Sequence, residues 1–359
     1  MTHKDTEGAA DVGAGRRTPT SRRVALADVA AEAHVHPSTA SRALNARTRG
    51  RVKGSTVERV RAAAELVGYT PNSLARSLRT NRTYMVGMLI PDLTNPLFPP
   101  IVKGIEDRLS RDGYTLVLAN TDGDADREAS ILASLTARRV DGLILATARR
   151  EYPVIDELLA GGTKVVLVNR TMDNPPVSSV AGDEHAGIGL AVRHLAKLGH
   201  KRIAYVGGDP EASTGLVRYQ AFTSWLREEG LHLDPDLVTV AEQFREEPGA
   251  NAFAELLDRG KDFTAVVAGN DLLALGCYDV LKARSLSVPG DVSVVGFNDI
   301  LFADKFAPPL TTIGIPHYQI GAKAAQLLLE AIEGGDSTTM AVRLAPSLIV
   351  RESTAAPRR

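Results

Sequence analysis

The chain has 359 residues, a formal net charge of −1 and one cysteine, Cys277. That length allows one small and two medium-sized domains, and a lone cysteine excludes an internal disulfide. No stretch is apolar over the roughly 20 residues that a membrane-spanning helix needs. Residues 1–23 are rich in Gly, Ala, Thr and charge and lack a secretory signal's apolar core, so they predict a disordered tail on a cytoplasmic protein.

The charge is divided unevenly along the chain. Residues 1–83 hold fifteen Lys/Arg against seven Asp/Glu, a net of +8, whereas the remainder holds 27 against 36, a net of −9. A basic head on an acidic body is typical of a nucleic-acid-binding module joined to a domain that does not bind DNA. Arg47, Arg49, Arg51 and Lys53 crowd one short loop, where phosphate contact is favoured over a merely solvated loop.

Two short helices are predicted at the start of the basic part. The first, 26–33, has apolar residues at i, i+3, i+4 and i+7, and the second begins at Pro37, a residue well tolerated at the first helical position. The side chains predicted to be buried are Leu26, Val29, Ala30, Ala33, Ala40, Ala43 and Leu44. The exposed face of the second helix carries Pro37, Ser38, Ser41 and Arg42. This pattern predicts a helix-turn-helix, whose second helix enters the major groove of DNA; the alternative is a small helical bundle.

A third helix is predicted to follow, with Ser55 as its N-cap. Its predicted buried face is Val57, Val60, Ala64 and Leu66. Next come Tyr69-Thr70-Pro71-Asn72 and Ser73-Leu74-Ala75-Arg76-Ser77-Leu78. The order L-x-D-V-A-x-x-A…S-T-x-S-R-x-L-N…Y-x-P-N-x-x-A-x-x-L resembles the lactose-repressor/galactose-repressor (LacI/GalR) family of transcriptional regulators, and the resemblance extends to the C-terminus.

The resemblance implies a hinge and a set of DNA contacts. Residues 74–78 are too few for a stable isolated helix; by resemblance they fold when two copies meet on the operator, and Leu78 wedges into the minor groove. The alternative is a plain linker with Leu78 packed on the next domain. The predicted DNA-binding residues are Leu26, Pro37, Ser38, Thr39, Ser41, Arg42, Asn45, Arg51, Tyr69, Asn72, Ala75 and Leu78.

From Tyr84 onward, short apolar runs alternate with amphipathic helices. The predicted strands are 85–90, 115–119, 142–146, 165–168, 179–181, 203–206, 237–240, 265–268 and 292–297. The predicted helices are 98–111, 126–138, 154–160, 184–198, 215–229, 249–259 and 272–283. Unbroken hydrophobic strands between helices indicate parallel sheets covered on both faces. Two such series predict two doubly wound lobes.

The predicted fold is therefore an all-α helix-turn-helix head plus an α/β effector domain of two parallel-sheet lobes. This is the periplasmic-binding-protein-like architecture that the family shares. The predicted boundaries are 1–23 for a tail, 24–71 for the helix-turn-helix domain, 72–83 for the hinge, 84–352 for the effector domain and 353–359 for a second tail. Lobe 1 is predicted at 84–181 plus 316–333, and lobe 2 at 182–315 plus 340–352.

Polar residues that follow the predicted strands, among them Asn169-Arg170 and Asn298-Asp299, indicate a ligand cleft, because ligands bind outside the carboxyl ends of such strands. Amide, carboxylate and guanidinium groups can bind the hydroxyls of a sugar, and phenylalanine rings can stack on its apolar face. The resemblance implies effector contacts at Asn95, Phe98, Asn169, Arg218, Phe244, Asn270, Asp271 and Asn298. Each has a structural alternative, since Asn270 or Asp271 can equally cap the helix that follows.

Some positions depart from the family pattern. His34 replaces a glycine that is frequent in the turn, which predicts a strained or altered turn, and His36 stands at the usual Ser/Thr cap position, which predicts a weaker cap. Asn169 and Asn298 stand where several sugar-binding members have aspartate. The chain ends without a leucine heptad after Ser353, so a tetramerising helix is not expected. The apolar helices near 98–109 and 272–281 are the predicted dimer surfaces, with Leu275 and Tyr278 in the second.

Other classes of protein fit less well. A solute-binding protein of the periplasmic type, without a regulatory role, would need a signal peptide and would not need the basic head. A dinucleotide-dependent enzyme would need a third glycine after Gly187-x-Gly189. We therefore predict a repressor that is not an enzyme and needs no cofactor or metal. It would bind a near-palindromic double-stranded operator as a homodimer and respond to a small, carbohydrate-like effector that closes the two lobes.

Overall fold

The computed structural model describes residues 24–44, 48–69, 77, 80–334 and 338–358. They belong to two compact units, Met1–Ser73 and Leu74–Arg359. Several predicted features lie outside the described residues: the tail 1–23, Arg47 and the proposed contacts Asn45, Asn72, Ala75 and Leu78.

The first unit is helical. Its helices are α1 (Leu26–Glu32), α2 (Pro37–Leu44) and α3 (Gly54–Leu66), with a short 3-10 turn at Arg49–Arg51. The core consists of Val29, Ala30, Ala33, Ala40, Ala43, Val60, Ala63 and Ala64. Because most of these side chains are methyl groups, the helix backbones can approach closely. The prediction that α2 begins at Pro37 is confirmed.

The third helix differs from the prediction at both ends. It begins at Gly54 with Lys53 as N-cap and no side-chain cap, so Ser55 lies inside the first turn and the prediction of a Ser55 cap is wrong. Leu66 is 75% exposed and not buried. The buried face of α3 consists of Val60, Ala63 and Ala64, and Leu66 lies outside that face. Leu26 and Leu44, also predicted to be buried, are partly exposed.

The turn between α1 and α2 contains both unusual histidines. His34 has φ 50°, in the left-handed region that favours the glycine it replaces. His36 Nδ1 accepts a 3.2 Å hydrogen bond from the Ser38 backbone N–H and lies 2.8 Å from Ser38 Oγ. The His36 imidazole therefore caps α2 in place of a Ser or Thr hydroxyl. Its hydrogen bond from the Ser38 N–H is long, in agreement with the weaker cap that the sequence predicts.

The second unit has two α/β lobes. The first contains β1 (Met85–Ile90), α4 (Phe98–Arg111), β2 (Thr115–Asn120), α5 (Ala125–Ala137), β3 (Gly142–Leu145), α6 (Val154–Ala160), β4 (Val165–Val168), β5 (Ser178–Gly182), α11 (His317–Ile332) and β11 (Ala341–Leu344). The second contains α7 (Glu184–Leu198), β6 (Ile203–Gly207), α8 (Ser213–Glu228), β7 (Val238–Val240), α9 (Glu246–Asp258), β8 (Ala265–Ala268), α10 (Asp271–Ala283), β9 (Ser293–Asn298), β10 (Thr311–Gly314) and β12 (Ser347–Ile349). The predicted fold class is confirmed.

Within the described residues each sheet has six strands. Their orders are β11-β5-β4-β3-β1-β2 and β12-β10-β9-β8-β6-β7. All pairs are parallel except β10 with β12. The order reverses between β1 and β3 in the first sheet and between β6 and β8 in the second. A crevice forms at such a reversal, at the carboxyl ends of the strands.

The C-terminal segment differs from the predicted boundaries. Strand β11 pairs with β5 in the first sheet, whereas β12 pairs with β10 in the second, so residues 340–352 do not belong wholly to lobe 2. Residues 353–358 are not a free tail either. Ser353 is fully buried: its hydroxyl donates to the Val294 carbonyl at 2.6 Å and accepts from the Thr311 N–H at 2.7 Å. These partners are distant in sequence, which is why the local pattern did not predict them.

In the described part of the chain, no helix combines the length and the apolar character needed to cross a membrane.

Candidate functional site

A cavity of about 290 Å³ lies between the two lobes, at the carboxyl ends of both sheets. Its size is near the lower end of ordinary small-ligand sites, roughly 300–1,000 Å³. The predicted effector residues that line it are Asn95, Phe98, Asn169, Arg218, Phe244, Asn270 and Asn298. They lie at the strand ends, in the loops beyond them or in the helix that follows, as Phe98 does on α4 and Arg218 on α8, so the topology brings together side chains that are far apart in sequence.

Asp271 is the exception among the predicted contacts. It does not line the cavity and is fully buried. Its carboxylate accepts hydrogen bonds from Thr312 Oγ1 at 2.5 Å and from the Ile300 N–H at 2.8 Å. Burial raises the pKa of Asp271 to about 7, although the bonds from Thr312 and Ile300 oppose the shift. The geometry gives Asp271 a structural role, fixing the loop after β9.

Arg218 is held rigidly at the base of the cavity. Its Nε pairs with Glu184 Oε2 at 2.5 Å, its Nη1 donates to the Gly269 carbonyl at 2.5 Å, and its guanidinium lies 3.9 Å from the Phe297 ring centroid. The side chain is only 3% exposed. A buried pair of this kind fixes the direction of the remaining guanidinium hydrogens, and Nη2 lies 3.5 Å from Asn298 Oδ1.

The asparagines combine structural and ligand-facing atoms. Asn270 caps α10, accepting from the Leu273 N–H at 2.8 Å, as the structural alternative predicted. Asn95 Oδ1 accepts from the Leu97 N–H at 3.0 Å. Asn169 and Asn298 have φ values of 64° and 117°, a region in which asparagine is enriched among non-glycine residues. Such strained residues concentrate at ligand sites.

Several cavity residues were absent from the predicted set. The charged ones among them are Asp92, Asp122, Arg149, Asp209, Glu242 and Arg245. Each of Asp92, Asp122, Asp209 and Glu242 stands two residues beyond a strand, namely β1, β2, β6 and β7 in that order. Position after a strand end, which predicted Arg170, was therefore a usable signal for these four residues as well. Arg149 and Arg245 lie farther from a strand end, in the loops after β3 and β7.

Three contacts join the lobes around the cavity. Arg245 Nε of lobe 2 donates to Asp92 Oδ2 of lobe 1 at 2.9 Å. The Thr171 N–H donates to Ser213 Oγ at 2.9 Å, and the Arg150 N–H donates to the Glu211 carbonyl at 3.1 Å. The pKa of Asp92 is lowered: burial alone would raise it, but the bonds from Thr94 and Arg245 outweigh burial. The lobes are thus in contact at the mouth of the cavity.

The first unit presents a separate polar surface on α2. Pro37, Ser38 and Arg42 are exposed, and Arg42 Nη2 lies 3.5 Å from Ser38 Oγ. Of the other described candidates, Arg51 is exposed, while Leu26, Thr39, Ser41 and Tyr69 are partly buried. Thr48 Oγ1 donates to the Arg42 carbonyl at 3.0 Å and so fastens the loop that follows α2. An exposed helix with one guanidinium suits the major groove of DNA.

Comparison with known families matches nearly the whole chain. Residues 25–72 match the model described as "Bacterial regulatory proteins, lacI family", and residues 83–349 match "Periplasmic binding proteins and sugar binding domain of LacI family". The HTH-type transcriptional repressor PurR of Haemophilus influenzae (strain PittEE) is 33% identical over 334 residues, covering 91% of this chain and 98% of PurR.

Solved structures give the same result. The transcriptional regulator CelR in complex with cellobiose has a TM-score of 0.72 and 32% identity, covering 92% of this chain and all of that one. The Lac repressor dimer bound to operator and the anti-inducer ONPF has a TM-score of 0.79 and 26% identity, covering 93% of this chain and all of that one.

Proposed function

The chain belongs to the LacI family of bacterial regulatory proteins, and we propose that it represses transcription under the control of a sugar-like effector held in the interlobe cavity. The observation that carries the proposal is a cavity with polar walls from both lobes, in a chain that also presents an exposed recognition helix. A ligand bridging the two walls would favour the closed lobes, whereas binding to one wall would not.

DNA recognition is assigned to α2. In this proposal Arg42 contacts a base edge, most simply a guanine, while Pro37 and Ser38 set a neighbouring position. Arg42 is free of any carboxylate among the described residues, and its contact with Ser38 is long enough to exchange for a base. One helix-turn-helix reads one half-site, so a homodimer on a near-palindrome is expected. The related Lac repressor was solved as a dimer on its operator.

The dimer surface is assigned to the exposed edge of the first sheet. Strand β2 ends that sheet, with Leu118 38% exposed beside a groove formed with α4. The predicted alternatives are less suitable. The apolar face of α4 is buried in its own lobe, and Tyr278 is buried, donating to the Pro308 carbonyl at 3.0 Å. An open apolar edge strand is an association site unless another surface covers it.

The effector is proposed to act by lobe closure. Asn95 and Phe98 stand on lobe 1, and Arg218 and Asn270 stand on lobe 2, so a ligand touching both sets binds the closed form more tightly. Closure in both subunits would change the distance between the two hinge segments at 74–78. A ligand acts only through its differential affinity for the two arrangements, typically ~1–3 kcal/mol of coupling. CelR, a related protein, was solved with cellobiose.

Operator binding measured by fluorescence anisotropy tests this function. The full chain is titrated onto DNA from upstream of its own gene, with a scrambled duplex as control, and then a panel of sugars is added. We expect selective, salt-sensitive binding that one compound releases. Binding of both duplexes with equal affinity would contradict the regulator function, and selective binding that no compound changes would contradict effector control.

A further inference from the structure

Arg170 is one of the residues that line the cavity. The residue follows β4 and is partly buried. Among the described residues it has neither an ion pair nor a side-chain hydrogen bond, whereas Arg218 is paired with Glu184. Arg149 lines the same cavity and makes one long bond, 3.4 Å, to the Gly123 carbonyl. Arg149 and Arg170 thus both line the cavity, and in the part of the chain that the structure describes neither pairs with a carboxylate.

An unpaired guanidinium in this position is unfavourable for the protein alone. Burial lowers the pKa of Arg170 to about 10; the carboxylates of Asp209 and Glu128 oppose the shift, while Arg149 and Arg218 add to it. Burying a charge costs free energy unless it is paired. Arginine also presents a planar fork that fits carboxylate and phosphate groups.

The described carboxylates that line the cavity form no ion pair with Arg170. Asp92 is engaged by Arg245, and Asp122 pairs with Arg127. Asp209 accepts from the Glu211 N–H at 2.8 Å and comes close to Arg170 without forming an ion pair. Glu242 is exposed. Asp209 is thus left as an acceptor for ligand hydroxyls.

The amide groups add further donors. The backbone N–H of Leu97 fixes Oδ1 of Asn95 as the acceptor, so the Asn95 Nδ2 hydrogens are available to a ligand. Arg218 Nη2 faces Oδ1 of Asn298, which leaves the Asn298 Nδ2 hydrogens available in the same way. The wall formed by these amides and the arginines is rich in donors. Such a wall selects a ligand rich in acceptors.

We propose that the effector is a small polyol or sugar that carries an anionic group, phosphate or carboxylate, bound by Arg170 and Arg149. This inference rests on the proposed function, because it names the chemistry of the molecule that occupies the same cavity. The hydroxyl groups bind Asp209 and the asparagine amides, and the anionic group occupies the Arg170 side. Phosphate and carboxylate groups both offer acceptor oxygens that fit an arginine guanidinium, and calorimetry distinguishes the two.

Inorganic phosphate is the first probe. The full chain is melted in sodium phosphate and in sodium chloride of equal ionic strength, as wild type, Arg170→Gln and Arg227→Gln. Arg227 is an exposed arginine on α8 that does not line the cavity, so it is the matched control. We expect phosphate to raise the Tm of wild type and Arg227→Gln but not of Arg170→Gln. An equal rise in all three proteins, or no rise in wild type, would overturn the proposal.

The ligand-free proteins give a second readout. In sodium chloride, Arg170→Gln should melt higher than wild type by about 2–4 °C, because an unpaired cation has been removed. Arg227→Gln should melt as wild type does. A lower Tm for Arg170→Gln would mean that the guanidinium stabilises the unliganded lobes, and the proposal would then be wrong.

Calorimetry with glucose 6-phosphate, gluconate and neutral glucose identifies the anionic group. We expect one of the two anions to bind wild type roughly tenfold or more tightly than glucose, and Arg170→Gln to remove that advantage. The tighter anion tells phosphate from carboxylate, and Arg170→Lys should keep part of the affinity. Glucose binding as tightly as both anions would overturn the inference.

Failure of the inference that the effector is anionic can be told apart from failure of the proposed regulatory function. A chain that releases its operator to a neutral sugar and ignores both anions keeps the function and loses only the inference. A chain without selective operator binding loses the function itself.

Discussion

Arg245 Nε donates a 2.9 Å hydrogen bond to Asp92 Oδ2, and this ion pair connects lobe 2 with lobe 1 at the mouth of the cavity. The Arg245 side chain is 46% exposed, whereas that of Asp92 is 13% exposed. An ion pair with one partner in solvent contributes little to stability, roughly 0–1 kcal/mol. It is therefore suited to form and break as the lobes move.

We expect Arg245→Ala to favour open lobes without unfolding the protein. Small-angle scattering of the ligand-free chain should give a larger radius of gyration, with a change in Tm of no more than a few degrees. Arg284→Ala is the matched control, since Arg284 pairs with Asp258 at 2.6 Å within lobe 2 and is similarly exposed, 48%. The double variant Asp92→Arg with Arg245→Asp exchanges the two charges and should restore the wild-type radius of gyration. Identical scattering from all variants would show that this pair does not hold the lobes.

Arg218→Ala should be strongly destabilising, because it leaves Glu184 buried without its partner. Breaking a buried pair from one side typically costs ~3–5 kcal/mol. Urea denaturation should show this loss, and Arg218→Met with Glu184→Gln should recover much of it. If the single variant is as stable as wild type, the buried ion pair does not have the role assigned here. The double variant is also the cleaner one for testing whether effector response depends on the guanidinium.

Arg42→Ala should abolish preference for the operator while leaving weak, salt-sensitive binding. A good bidentate contact to a base is worth ~1–3 kcal/mol of discrimination. Anisotropy titrations on operator and scrambled duplexes at two salt concentrations measure both properties. Arg42→Lys keeps the positive charge but loses the planar guanidinium that can make two hydrogen bonds to one base. It should therefore bind both duplexes with reduced selectivity. Wild-type selectivity in Arg42→Ala would mean that α2 does not read a base through this residue.

Asp271→Asn should gain stability relative to wild type as the pH rises from 5 to 8. Burial raises the pKa of Asp271 to about 7, well above its unfolded value near 3.9, so the native state holds a proton that the unfolded chain releases. The contribution of Asp271 to the free energy of unfolding of the wild type is complete below pH ~4. As the pH rises towards 7, this contribution falls by up to ~1.4 kcal/mol per pH unit. Urea denaturation of both proteins at pH 5 and 8 measures the difference. A constant difference between the two proteins would contradict the raised pKa.

Leu118→Asp should weaken dimer formation, because a charge on the uncovered edge of β2 opposes apolar association. Sedimentation should show more monomer at micromolar concentration, with weaker operator binding as a consequence. Leu159→Asp is the control, since Leu159 is 36% exposed on α6. A Leu118→Asp protein that remains a full dimer would place the interface elsewhere, with the partly exposed Leu275 as the next candidate.

Much of the fold was predictable because its signals are local. The bounds of β1, β4, α4, α6 and α7 agree with the predictions, since an apolar run or a 3.6-residue period ends where polar or turn residues begin. The cavity was predictable in outline for a related reason. Polar residues just after buried strands, such as Asn169 and Asn270, have few places to lie except the carboxyl edge of the sheet.

Only the tertiary structure separated neighbouring residues with the same local signal. Asn270 and Asp271 are adjacent, yet Asn270 lines the cavity while Asp271 points into the core towards Thr312. Whether Arg170 had a carboxylate partner also depended on residues distant in sequence. The same holds for Ser353, which is buried against β9 and β10. Sequence periodicity tells which face of an element is buried, but the identity of the atoms opposite that face is set by packing between elements that the local pattern does not encode.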